Sequence, residues 1–319
     1  MRFALPCVAI VAATTLALSG CQSSTSGSTS TEASPTHAPA AKDSLLQKAL
    51  ETSRAALPSQ APKRVVSMSV GLTQIADALD VPLVGVPTSQ NPLPEGTKDL
   101  PQIGNSVEPD LEKIAELAPD LILSPASIGE SIDKKIKPLN LESSNLPTDS
   151  VVELEATALA LGELFDSQDQ ARELVRKVDQ AQQEASTVVS ETNPKKVLML
   201  FGSPGELMVM GENTFAGEIA NDLGATNVAA LLGQEESYTP LSMEQVIAQD
   251  PDVVLILAHG DAEAVLDGVK KELAEQPAWG KVSASKNDAI HALPFELYGI
   301  SSITDAPEAI SNMAAALGS

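Results

Sequence analysis

The chain has two cysteines in 319 residues, Cys7 and Cys21, and no thiol after position 21. This excludes a disulfide framework, a cysteine-held zinc site and a thiol nucleophile from any folded part. Histidine is almost as scarce: His37, His259 and His291 are the full set. A cage of several imidazoles around a bare zinc or manganese ion is therefore unavailable. Aromatic residues make up 3% of the chain, too few for a broad stacking surface. Basic residues are outnumbered, 20 Lys and Arg against 43 Asp and Glu, giving a net charge of −23. Such a surface repels polyanions, so nucleic acid is excluded as a partner, and anionic membranes would not attract it either. Membrane contact has to be covalent or hydrophobic. Neither a Gly-Lys-Ser/Thr phosphate loop nor a Gly-x-Ser-x-Gly elbow occurs, and no catalytic constellation is visible, so the chain does not read as an enzyme.

Hydrophobic residues, at 43%, suffice for real cores, and the length suits about two domains. The N-terminus has the pattern of an export signal: Arg2, an apolar run from Phe3 to Leu18, then Ser19, Gly20 and Cys21. The run is short for a membrane span. Leu18-Ser19-Gly20-Cys21 resembles the lipobox of bacterial lipoproteins, which implies removal of residues 1–20 and diacylation of Cys21. Residues 21–41 read as a disordered tether, since ten of the twenty residues from Gln22 to Ala41 are Ser or Thr. His37 lies in this tether, solvated.

An N-terminal lobe is expected over 42–166. A helix runs through Leu57 and stops at Pro58. Arg64-Val65-Val66-Ser67 reads as a strand, Thr73–Leu79 as a helix and Leu83–Val86 as a second strand. Glu108–Leu117 reads as a helix with acids at its start, and Pro119-Asp120-Leu121-Ile122-Leu123 as a buried strand. This alternation predicts an α/β unit with a largely parallel sheet. The unit recurs 132 residues later: Lys196-Val197-Leu198-Met199 answers Arg64–Ser67, Met243–Ala248 answers Leu111–Glu116, and Pro251–Leu255 answers Pro119–Leu123. Ile219–Leu223 answers Ile75–Leu79 at an offset of 144, so the second copy, in 191–319, carries about twelve extra residues around Gly202–Asn213. Between the copies, Val151–Leu164 reads as an apolar helix on the first lobe. A connecting helix is expected over 167–190, with Ser167 and Gln170 as a capping box and Ala171, Leu174, Val175, Val178 and Ala181 as its apolar face.

Two similar α/β lobes with mainly parallel sheets, joined by one long helix behind a lipobox, resemble the substrate-binding proteins of iron-siderophore, haem and cobalamin ABC importers. The nearest likeness is to the haem-receptor lipoproteins of Isd-type uptake systems, carried by Val84–Ser89, Leu100–Gly104, Glu108–Glu112, Ala258-His259-Gly260 and Tyr298-Gly299-Ile300. The resemblance implies a monomer with a ligand cleft between the lobes, lipid-anchored outside the membrane, binding haem and handing it to an ABC importer permease. It places the haem-iron ligand at His259, which follows the strand Val253–Leu257 where α/β sheets bind ligands. The second axial ligand is open. Val107 stands where related receptors carry methionine and cannot bind iron. Met68, in the loop after the first strand and expected to face the cleft, is the best substitute; Met210 and Tyr298 are further candidates, and His259 alone is equally open. Met68 and Met210 also suit core filling. His291, inside the apparent strand Ala289–Leu293, reads as structural. Glu112 and Glu244, equivalent in the two repeats, are the implied permease-docking acids, with Glu108 and Glu116 as neighbours able to serve instead. Two other readings stay open: a ferric siderophore or corrinoid as cargo in the same fold, or a chelatase-like surface enzyme using His259 with Asp261 and Glu263.

Overall fold

The computed structural model describes residues 39–189, 194–203, 206–258 and 262–318. The expected signal peptide with Cys7 and Cys21, the tether through residue 38 with His37, and His259, Gly260 and Asp261 lie outside the described residues.

In chain order the first half runs α1 (Pro39–Ala56), β1 (Val65–Ser67), α2 (Val70–Ala78), β2 (Leu83–Gly85), α3 (Leu111–Leu117), β3 (Leu121–Pro125), α4 (Ala126–Ile136), β4 (Ser143–Leu146) and α5 (Val151–Leu164). Its four strands form one fully parallel sheet in the order β2-β1-β3-β4. Short β-branched and aliphatic strands suit such a sheet, because helices cover both faces. The helix α6 (Gln168–Ser186) follows. The second half holds β5 (Lys196–Ser203), β6 (Glu206–Met210), α7 (Phe215–Asp222), β7 (Thr226–Asn227), α8 (Val228–Leu231), β8 (Tyr238–Pro240), α9 (Met243–Gln249), β9 (Val253–Leu257), α10 (Ala262–Ala274), α11 (Ser283–Lys286), β10 (Ile290–Leu293), α12 (Phe295–Tyr298) and α13 (Ala306–Gly318).

The second sheet departs from the parallel expectation. Its order is β10-β9-β5-β6-β8, with β7 also on β5; β9, β10 and β7 join in parallel, but β6 and β8 run antiparallel. The residues extra to the second repeat form the β5–β6 hairpin, and a hairpin pairs antiparallel by construction.

The repeat itself is physical. The Asp120 carboxylate accepts the backbone N–H groups of Lys63 and Arg64 at 2.9 Å, while Arg64 donates to the Leu117 and Ala118 carbonyls. At the 132-residue offset, the Asp252 carboxylate accepts the Lys196 N–H at 2.9 Å and Lys196 Nζ donates to the Gln249 carbonyl at 2.7 Å. Both helices close on a left-handed residue, Ala118 and Asp250. The parallel registers Val65↔Leu121 and Val197↔Val253 correspond.

Helix starts differ from expectation: α2 begins at Val70 and not at Thr73, because the Ser69 hydroxyl caps it by accepting the Leu72 N–H. The helix α3 begins at Leu111, because the Asp110 side chain caps it by accepting the Lys113 N–H, and Pro109 is held in a bridge to Gly104. Ser167 forms no capping box: it is buried, and its hydroxyl donates to the Leu79 carbonyl at 2.8 Å, tying α6 to the end of α2.

One continuous apolar cluster links the halves. It runs from Val65 and Leu121 through Leu154, Leu161, Leu174 and Val178 to Val197, Leu255 and Ile310. The two sheets are thus joined by packed helices, not by a flexible linker.

Candidate functional site

The N-terminal sheet ends in a cleft of about 310 Å³. Every parallel strand delivers a loop to it at its carboxyl end: Ser69–Gly71 after β1, Pro87–Ser89 after β2, Pro125 and Ser127 after β3, and Thr148 and Asp149 after β4. This is where open α/β sheets hold ligands. The opposite half contributes Ile300 and Ser301. A larger cavity of about 470 Å³ lies between α1, the start of α5 and α7, but its walls are helix sides, with four acids and two lysines. The smaller cleft, where strand ends converge, is the candidate ligand site.

The wall mixes apolar residues such as Val70, Pro87 and Ile300 with many hydroxyls. Hydroxyls of Ser69, Ser89, Ser106, Ser127, Thr148 and Ser301 line it, and among the described lining residues Asp149 is the one charged group. Two helices start here: α2, capped by Ser69 Oγ, and α4, whose cap residue Pro125 has no hydroxyl to offer. Helix N-termini turn backbone N–H groups and positive dipole ends toward a ligand, so an anionic group can be held without a cation.

The second half carries an aromatic strand face. In the registers of the antiparallel ladder, Phe201, Met208 and Tyr238 share one face. The Phe201 and Tyr238 rings lie 5.5 Å apart, Tyr238 is 41% exposed and Met208 is half-buried. Burial, and then the charge of Asp149, hold the Tyr238 phenol above its usual pKa. Phe201 pairs with Leu257 in register, so the aromatic face lies next to the strand end that leads to position 259.

The structure does not bring the described candidates Met68, Met210 and Tyr298 to the cleft. Met68 is fully buried among Val66, Ile103, Ile114, Ile122, Ile132 and Ile136. The strand alternation of β1 continues through it, so its sulfur points under the sheet on the Val66 side and not into the cleft. Its carbonyl instead accepts the Ser106 hydroxyl at 2.6 Å. Met210 is 1% exposed and packs in the large core. Tyr298 is buried; its hydroxyl donates to the Ala309 carbonyl at 2.6 Å and lies 3.1 Å from Asn312 Oδ1, and burial raises its pKa far above normal. Val107 is exposed. His291 lies in β10, half-buried, and burial lowers its pKa, with Lys270 adding to the effect. Glu112 and Glu244 are exposed in the first turns of α3 and α9. Among the described residues, no group of three or more His, Cys, Asp or Glu stands close enough to cage a metal ion.

Sequence reasoning passed over the hydroxyl lining and the Phe201–Met208–Tyr238 face. A usable signal for the first existed, since each N-terminal strand is followed by Ser or Thr. The second needed the β6–β8 pairing, which no local pattern announces.

Across the junction, the Glu218 carboxylate of α7 accepts the backbone N–H of Val151 and, at 3.2 Å, of Val152, capping α5 from the other half. Lys42 of α1 reaches Glu155 at 3.2 Å, Asp179 at 3.0 Å and Gln182 at 2.9 Å. Burial pushes the Glu155 and Glu218 carboxyls up to about 7.

Two α/β halves on packed helices, with a cleft at the strand ends, define a two-lobe ligand-binding receptor. The chain belongs to the periplasmic binding protein family, which matches residues 65–297. It is 31% identical over 251 residues to the high-affinity heme uptake system protein IsdE of Staphylococcus aureus (strain bovine RF122 / ET3-1), covering 78% of this chain and 85% of that one. The crystal structure of an ABC transporter substrate-binding protein from Listeria monocytogenes EGD-e matches with a TM-score of 0.73 at 29% identity, over 80% of this chain and 98% of that one. S. aureus IsdE complexed with heme matches at 0.71 and 30% identity, over 80% and 99%. Proteins of this family are extracytoplasmic substrate-binding components of ABC importers; they bind a ligand, deliver it to the permease and are not enzymes. Among the described residues no helix is long and apolar enough to cross a membrane.

Proposed function

We propose that the ligand is haem, and that the protein is a lipid-anchored receptor delivering it to an ABC importer for iron acquisition. The observation that supports this reading is a cleft at the strand ends with one charged residue among its described lining and helix N-termini at its rim, together with the similarity to a relative crystallised with heme. A flat macrocycle has an apolar face, suited to Phe201, Met208 and Tyr238, and anionic carboxylates, suited to hydroxyls and helix N-termini. A ferric siderophore carrying several negative charges would meet no lysine or arginine among the described lining residues. His259, two positions beyond the end of β9, is the proposed iron ligand through a neutral imidazole nitrogen. With Met68, Met210 and Tyr298 committed to the core, haem is held by His259 as its one protein ligand. Cys21 is the proposed lipid attachment, and Glu112 and Glu244 the proposed contacts to the permease. Ligand transfer requires no bond chemistry by the protein.

Adding hemin to the purified protein tests the reading. A sharp Soret band is expected for the wild type, and a weakened or shifted band for His259→Ala. An identical spectrum in the variant removes His259 from the role; no band in the wild type rejects haem as cargo.

A further inference from the structure

Gly71 occupies the second position of α2, where alanine is the better helix former. A β-carbon built there would sit 2.2 Å from the Ser301 carbonyl oxygen of the other lobe, so any side chain has to displace backbone. Neither side yields easily. Ser302, next to the contact, is fully buried; its hydroxyl lies 3.0 Å from Thr304 Oγ1 and accepts the Asp305 N–H at 3.2 Å, and its carbonyl accepts the Ala306 N–H at 3.0 Å. These bonds tie the Ser301 loop to α13. On the facing side, Ser69 caps α2, and Thr73 Oγ1 donates to Ser67 Oγ at 2.9 Å within the core. One turn along the same helix, Gln74 Nε2 donates to Asp305 Oδ2 at 3.1 Å, a second bond between the lobes. Because both partners are braced, the coordinate left to absorb a β-carbon is the separation of the lobes.

We propose that Gly71 is a positioning residue whose bare α-carbon lets α2 close on the Ser301 carbonyl and so sets the width of the ligand cleft. Gly71 and Ser301 both line that cleft, so the spacing is fixed where the ligand enters. A mere helix-breaking glycine would behave oppositely to a spacer: replacement would improve the helix and leave binding alone.

The test uses the full chain with Cys7→Ser and Cys21→Ser, and nitroxides on cysteines introduced at Glu116 of α3 and Gln245 of α9, both exposed. In Gly71→Ala we expect a melting temperature equal to or above wild type, a longer mean label distance without ligand, and weaker hemin binding. If closure-competent protein falls to about a tenth, the apparent Kd rises about tenfold. Gln74→Ala should move distance and affinity the same way, less far, and decides the matter if Gly71→Ala does not fold. Unchanged distances in the variants overturn the proposal, as does a lowered melting temperature with unchanged distance, the mark of a purely structural glycine. The affinity arm rests on the haem reading and the distance arm does not: longer distances alongside a wild type that ignores hemin would keep the spacer and reject the cargo.

Discussion

Glu218 offers the sharpest energetic test of how the lobes are joined. It belongs to α7, yet its carboxylate takes the first two N–H groups of α5 in the other lobe, donors with no acceptor within their own helix. Burial raises this carboxyl to about 7 from an ordinary 4.5, with Asp222 adding to the rise and the Val151 and Val152 N–H groups opposing it. The difference, 7 − 4.5, corresponds to at most about 3 kcal/mol, a ceiling because the side chain keeps some contact with water. Between about pH 4.5 and 7 the folded form holds a proton that the unfolded chain has lost. The group's contribution to stability therefore falls as pH rises through that window and levels off above 7. Glu218→Gln removes the titration and keeps one oxygen acceptor; Glu218→Ala leaves two buried donors unpaired and should cost about 2–4 kcal/mol. Urea unfolding followed by circular dichroism at pH 5 and pH 8 measures this. The stability of wild type relative to Glu218→Gln should drop by up to about 2.5 kcal/mol between those conditions, with Glu218→Ala below both throughout. Parallel pH profiles for wild type and Glu218→Gln, or equal stabilities for the two variants at pH 8, would refute the reasoning.

Three further outcomes are expected. Met68→Leu, a volume-conserving change in a sealed core, should cost less than about 1.5 kcal/mol and leave the ferrous haem spectrum unchanged; an altered spectrum would show the sulfur reaching the ligand. Replacing Glu112 and Glu244 together by Ala should slow haem uptake by cells several-fold, at about 1 kcal/mol for each exposed charge pair, while hemin binding in solution stays intact; unimpaired uptake would dismiss docking through these acids. Cys21→Ser should move the protein from the membrane fraction to the soluble fraction, and retention on the membrane would reject lipidation at this residue.

How far the sequence led can be seen in single elements. Val151–Leu164 and Val253–Leu257 have the same limits in sequence and structure, because an unbroken apolar helix bounded by Ser150 and a continuous aliphatic strand are local patterns. The pairs Arg64–Asp120 and Lys196–Asp252 were visible as a repeat because each bond joins residues that recur together in the text of the chain. Met68 was misread because a loop residue after a strand can face either way, and only the packing of Ile103, Ile114 and Ile132 beneath it settles the side.

By itself, the sequence determined the α/β class, the duplication and the helical junction, since hydrophobic period and internal self-similarity act over short stretches. Tertiary structure decided which residues meet across the gap: Gly71 against Ser301, Glu218 on α5, Gln74 on Asp305. Those partners lie far apart along the chain, and no local preference encodes a contact whose geometry exists only after both sheets have packed on the same helices.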